Sequence, residues 1–101
     1  MFNPTMQWDE EVKEKFLQMT KKMPTFHRHM AVDTVTKRSE ENAQSRLSEM
    51  VQEQDVISAF FSDVPSPFYS MMISLLEQSG FHYKQYGYPQ TKTQLSERKR
   101  S

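Results

Sequence analysis

The chain contains no cysteine, which removes disulfides, thiolate metal sites and cysteine-held clusters from consideration. Glycine is nearly absent too, with only Gly80 and Gly87. With so few turn residues between apolar stretches of helical period, an all-α body is expected. No apolar run approaches the roughly 20 residues that a membrane span requires. The opening Met1-Phe2-Asn3-Pro4-Thr5 lacks the basic and apolar regions of a secretory signal, so a cytoplasmic location is expected. An excess of charge of either sign is also missing, because thirteen basic residues balance thirteen acidic ones. The balance is uneven along the chain. Residues 1–89 hold nine basic and twelve acidic residues, a net −3, whereas residues 90–101 carry +3. A body without basic excess is a poor surface for duplex DNA. A chain of 101 residues suits one small domain and leaves little room for a large internal active site.

What is present is helical periodicity. Trp8, Val12, Phe16, Met19 and Met23 form one stripe, predicting a first helix over about 9–23 with Asp9 as its cap. Glu10 and Glu11 at its start and Lys21 and Lys22 at its end suit the helix dipole. Pro24 ends it. A second, long helix is expected from a Thr25 cap to about Arg46. Its main face carries Arg28, Ala31, Val32, Val35, Ser39, Asn42, Ala43 and Arg46, while Phe26 and Met30 point the other way. A helix with apolar residues on two sides is expected to be contacted from two sides. Its second half reads as polar nearly all round, with Lys37 and Glu41 as an i,i+4 pair. After a corner over 47–51, Val56, Ile57, Phe60, Phe61 and Val64 predict a third helix over about 53–63, ended by Pro65. A fourth helix is bounded by a Ser66 cap, Pro67 at its first helical position and Gly80 as a left-handed stop, with Phe68, Met71, Met72, Leu75 and Leu76 as its buried face. Phe81 and Tyr83 alternate with polar residues and suggest a short extended segment. The layout is thus a single all-α helical domain over 1–89, with a long central helix flanked by shorter ones. It has four main helices plus that C-terminal extended segment, then a disordered basic tail over 90–101.

Few residues point to chemistry. His27 and His29 lie two apart, on different helix faces, whereas a metal pair on one helix needs i,i+4; no metal and no cofactor are expected. Arg28 sits on the apolar face near a corner. It either bonds a carboxylate, with Asp55 or Asp63 available, or backbone carbonyls, or it captures an anionic ligand group. The eight methionines either fill core gaps or make an adaptable surface. Glu40-Glu41 and Asp9-Glu10-Glu11 read as acid–base candidates or as a solvated face and a dipole complement. Tyr83, Tyr86 and Tyr88 beside Lys84 either stack bases or cover the fourth helix. No nucleophilic triad spacing, phosphate loop or acidic metal cluster appears.

Trp8, Pro24-Thr25-Phe26-His27-Arg28, Ala43 and Val51-Gln52-Glu53-Gln54-Asp55-Val56-Ile57-Ser58-Ala59 resemble the motifs of the small PCP reductase domain. That domain is found at the C-terminus of the B subunit of light-independent protochlorophyllide reductase and as short stand-alone proteins. Its members place a tryptophan before a helix, a proline-x-x-arginine-like corner, a long helix with alanines, and an Ile-Thr-x-acid-Val-x-x-Ala-like start to the last helix. The resemblance covers residues 8–61. Gln52 replaces the usual capping threonine, and the usual glycine before that corner is missing. The order of helices also looks like a histone-type fold. The resemblance implies a non-catalytic accessory or interaction module rather than a reductase, because the cluster and tetrapyrrole chemistry of the parent enzyme belongs mainly to a large nitrogenase-like domain. It implies a protein partner, such as a nitrogenase-like subunit, or a tetrapyrrole-related ligand whose propionate Arg28 would hold, with His27 and Trp8 as further binding candidates. A histone-like DNA-binding dimer is the alternative, with a basic patch limited to Lys37-Arg38 and the tail.

Overall fold

The structure, a computed structural model, describes residues 2–88. Four helices account for most of it: α1 (Glu10–Lys21), α2 (Thr25–Ser45), α3 (Glu53–Asp63) and α4 (Tyr69–Gln78). Two very short strands, β1 (Gln7–Trp8) and β2 (Met50–Val51), pair in parallel, with Gln7 opposite Met50 and Trp8 opposite Val51. The periodicity did not signal this pairing, because two residues carry no period. A 3-10 turn over Ser66–Phe68 leads into α4, and a second follows over Tyr83–Tyr86. The expected tail over 90–101 lies outside the described residues. None of the described helices is long and apolar enough to cross a membrane.

Each helix forms where its ends can be satisfied. Asp9 caps α1 by accepting from the backbone N–H groups of Glu11 and Val12 at 3.0 and 3.1 Å. α2 begins one residue earlier than expected in its capping. Pro24 is the cap residue, Thr25 is already helical, and no side chain caps the turn. Gln52 is the cap residue of α3, and its backbone N–H donates to the Asp55 carboxylate at 2.9 Å. That bond supplies the fixed start that glutamine alone gives poorly. Ser66 does not cap α4 through its side chain; Pro65 and Pro67 hold the entry as a 3-10 turn instead. At the far end Gly80 adopts φ 86°, and Phe81 N–H donates back to the Leu76 carbonyl at 2.9 Å. This is the expected left-handed stop.

The end of α2 uses the same motif with a different residue. Ser48 N–H donates to Ala43 O and Leu47 N–H to Gln44 O, both at 2.9 Å, with Leu47 at φ 61°. Leu47 is 93% exposed, so no packing among the described residues compensates its strained backbone.

The core forms where the four helices meet. α1 contributes Val12, Phe16 and Met19, α2 contributes Val35 and Ala43, and α3 contributes Val56, Ile57 and Phe60. α4 adds Met72, Leu75 and Leu76. Trp8 is buried, and its ring continues a chain of aromatic contacts from Phe2 through Phe16 to Phe60, with centroid separations of 5.0, 5.4 and 6.0 Å. The expected extended segment after Gly80 is instead an irregular link and a 3-10 turn. Its tyrosines pack on α3 as well as reaching α4: Tyr88 stacks on Phe61 at 4.6 Å, and Tyr83 lies 6.3 Å from the same ring. The Tyr83 hydroxyl reaches Glu77 at 2.6 Å. That acceptor, with burial, pushes the phenol above its ordinary range.

Because a non-glycine residue in the left-handed region carries about 1 kcal/mol of strain or more, Leu47→Gly should raise stability by roughly 1 kcal/mol. Urea unfolding is the measurement, and a higher midpoint with unchanged slope is the expected outcome.

Candidate functional site

Three polar arrangements hold the corners, and each explains a charged residue that the sequence left open. Glu40 is buried, with 6% exposure, although its neighbours suggested a solvated face. Its carboxylate accepts from Thr5 N–H at 2.9 Å, the Thr5 hydroxyl at 2.7 Å and the Trp8 indole N–H at 2.9 Å. No basic side chain joins it among the described residues. Glu40 therefore fastens the segment before α1 to the second half of α2. A buried carboxylate is tolerable only with such a set of donors. The same-face run Val32, Val35, Ser39, Ala43 came within one residue of signalling this burial, but glutamate in a polar stretch reads as exposed.

Asp55 is likewise buried, at 2% exposure, and receives Arg46 in a fork with distances of 2.9 and 2.7 Å. Its hydrogen bonds, and to a lesser degree its charge, raise the Arg46 guanidinium above its ordinary pKa against the opposing effect of burial. This pair ties the end of α2 to the start of α3. Asn42 adds a bond from its side chain to the Asp55 carbonyl at 3.0 Å.

Arg28 has an internal partner, and it is backbone rather than carboxylate. Its guanidinium donates to the carbonyls of Thr20, Lys21 and Met23 at 3.0, 3.2 and 3.2 Å. It closes the C-terminal end of α1, where carbonyls lack helical partners and the dipole favours a cation. Asp55 is taken by Arg46, and Asp63 by Arg38 at 3.2 Å. Glu41 pairs with Arg38 at 3.6 Å rather than with Lys37, one position from the expected pairing.

The other candidate residues separate. Trp8 is enclosed in the core with its N–H committed to Glu40. His27 is exposed, with its ring 5.1 Å from Phe26 and 6.0 Å from Phe68. His82 lies across the molecule against Glu53, its Nδ1 at 3.1 Å from the carboxylate. No group of three or more His, Asp or Glu residues capable of holding a metal occurs among the described residues.

His27 marks the edge of an apolar groove of about 390 Å³ between the first half of α2, the end of α3 and α4. Val35, Phe60, Met72 and Leu75 form its floor. Its walls are Phe26 and Met30 on α2, Phe68 in the 3-10 turn before α4 and Met71 on α4, exposed by 75, 64, 45 and 44%. Large side chains so exposed, and gathered along one groove, make a continuous apolar patch rather than scattered surface residues. The second apolar side of α2, expected to be covered, is therefore open. Chemically the groove offers little beyond contact. It has the His27 imidazole, the Thr34 hydroxyl and an Asp63 carboxylate already held by Arg38. It lacks convergent polar groups of the kind that orient a reacting substrate. The stripe Phe26, Met30 was legible in the sequence as the wrong side of α2. The α4 wall was not, because Phe68 and Met71 read as core.

Arg28→Ala should lower stability by roughly 1–3 kcal/mol, since three carbonyls lose a charged donor. Arg28→Lys should recover part of the loss, a single ammonium replacing the fork. Thermal or urea unfolding of the three proteins checks the order, and equal stability of all three would contradict it.

No protein-family model, curated protein or solved structure matches this chain.

Proposed function

We propose that this chain is a non-catalytic interaction module that receives a protein partner in the α2–α3–α4 groove. The observation that carries this reading is the set of four exposed large apolar side chains walling one groove. Methionine and phenylalanine walls suit the apolar face of a helix, which lays anchors at helical spacing into such grooves. The resemblance over residues 8–61 supports an accessory setting beside a nitrogenase-like or chlorophyll-related enzyme.

A tetrapyrrole ligand is less well supported than a protein. The cation expected to hold its propionate, Arg28, is committed to three carbonyls and borders a separate depression with Glu14 and Gln18. Duplex DNA is also less well supported. Residues 1–89 carry −3, and Arg38, half of the candidate basic patch, is occupied by Asp63 and Glu41.

Site-specific photo-crosslinking in living cells tests the reading. A photoreactive phenylalanine analogue placed at Phe26 or Met71 should give a protein adduct, and the same analogue at Glu49, exposed and outside the groove, should not. Adducts that are absent, or equally abundant at all three positions, would overturn the interaction reading.

A further inference from the structure

We infer that the groove's occupant is a second copy of this chain, docked through α2 in antiparallel fashion about a two-fold axis near Met30. The inference rests on the interaction reading above and names its partner.

Self-complementarity is the first argument. One face carries both a projecting pair, Phe26 and Met30, and the groove beside it. A two-fold contact uses the same patch on both partners, so a surface suited to it must hold the knob and its hole together. In the antiparallel arrangement centred on Met30, Phe26 of one copy lies opposite Thr34 of the other. Thr34 and Val35 line the groove, so each copy's Phe26 enters the other's groove.

Charge is the second, independent argument. In the same register His27 lies opposite Asp33. Asp33 is exposed and forms no hydrogen bond or ion pair among the described residues, whereas the nearby Arg38, Glu41 and Asp63 are all paired. The first turn of α2 has no side-chain cap and no acidic residue. Its free N–H groups and positive dipole end favour a carboxylate close by. Asp33 of the second copy supplies that carboxylate at both ends of the contact, which also selects the antiparallel direction.

Area is consistent with both. The four exposed wall residues offer roughly 400 Å² of apolar surface, the centre of the about 800 Å² per partner that a standard stable interface buries. Central aromatic and methionine side chains are the kind that dominate such contacts.

Sedimentation velocity of the full chain from about 10 µM to about 1 mM tests this, a range spanning ordinary homodimer affinities. The wild type should show a concentration-dependent dimer. Met30→Glu, at a largely exposed position, should remain monomeric throughout with a far-ultraviolet circular dichroism spectrum unchanged. Asp33→Lys should weaken the dimer by about tenfold, the equivalent of 1.4 kcal/mol. A wild type that stays monomeric over the range overturns the inference, as does a dimer indifferent to both substitutions. Monomeric sedimentation together with an adduct to a different protein from the Phe26 crosslinker would remove the second copy and leave the interaction reading standing. Monomeric sedimentation with no adduct would remove both.

Discussion

A carboxylate buried without a cation, Glu40, is the constraint around which this small fold is arranged. Its three donors all come from the segment preceding α1, the Thr5 N–H and hydroxyl and the Trp8 indole N–H. Leaving such a charge unsatisfied would cost several kcal/mol, so the segment must dock wherever α2 forms. Docking sets Trp8 against Phe16 and places β1 beside β2, where Asp9 N–H donates to the Val51 carbonyl at 3.0 Å. The pairing of strands only two residues long is then a consequence of the clip rather than of strand propensity. α1 starts at Asp9, immediately after this anchor, so its position over α2 follows as well.

The two remaining polar devices act on the ends of the long helix. Arg46 and Asp55 fix the turn from α2 into α3, and Arg28 reaches back from the first turn of α2 to close α1. Together they hold α1 and α3 against α2. Phe26 and Met30, on another side, are left 75 and 64% exposed beside the groove. A helix committed on one side and apolar on the other is suited to joining a domain to something else, and the groove that α4 completes provides the shape for it.

Much of the fold was legible in the sequence, for reasons visible in particular residues. α3 could be bounded at Glu53 and Asp63 because a dense apolar stripe ends at a proline. α1 could be placed from the Trp8-to-Met23 stripe and its Asp9 cap. Gly80 announced its left-handed stop, but Leu47 concealed an identical one, since leucine carries no turn signal. Glu40 was hidden for the opposite reason: among Lys37, Arg38 and Glu41 it looks solvated, and its donors lie more than thirty residues away. The groove was half legible. Phe26 and Met30 stood out as apolar residues on the wrong side of α2. That Phe68 and Met71 would face them, rather than the core, depends on how the Pro65–Pro67 turn aims α4, and local pattern does not encode that angle.

The account stands or falls on whether Glu40 and the N-terminal segment act as one unit. A double-mutant cycle on Trp8→Phe and Glu40→Gln, read by urea unfolding, measures this directly. Each change weakens the same hydrogen bond, so the double variant should be less destabilised than the sum of the singles, with a coupling of about 1–3 kcal/mol. Additive effects, within about 0.5 kcal/mol, would contradict the account.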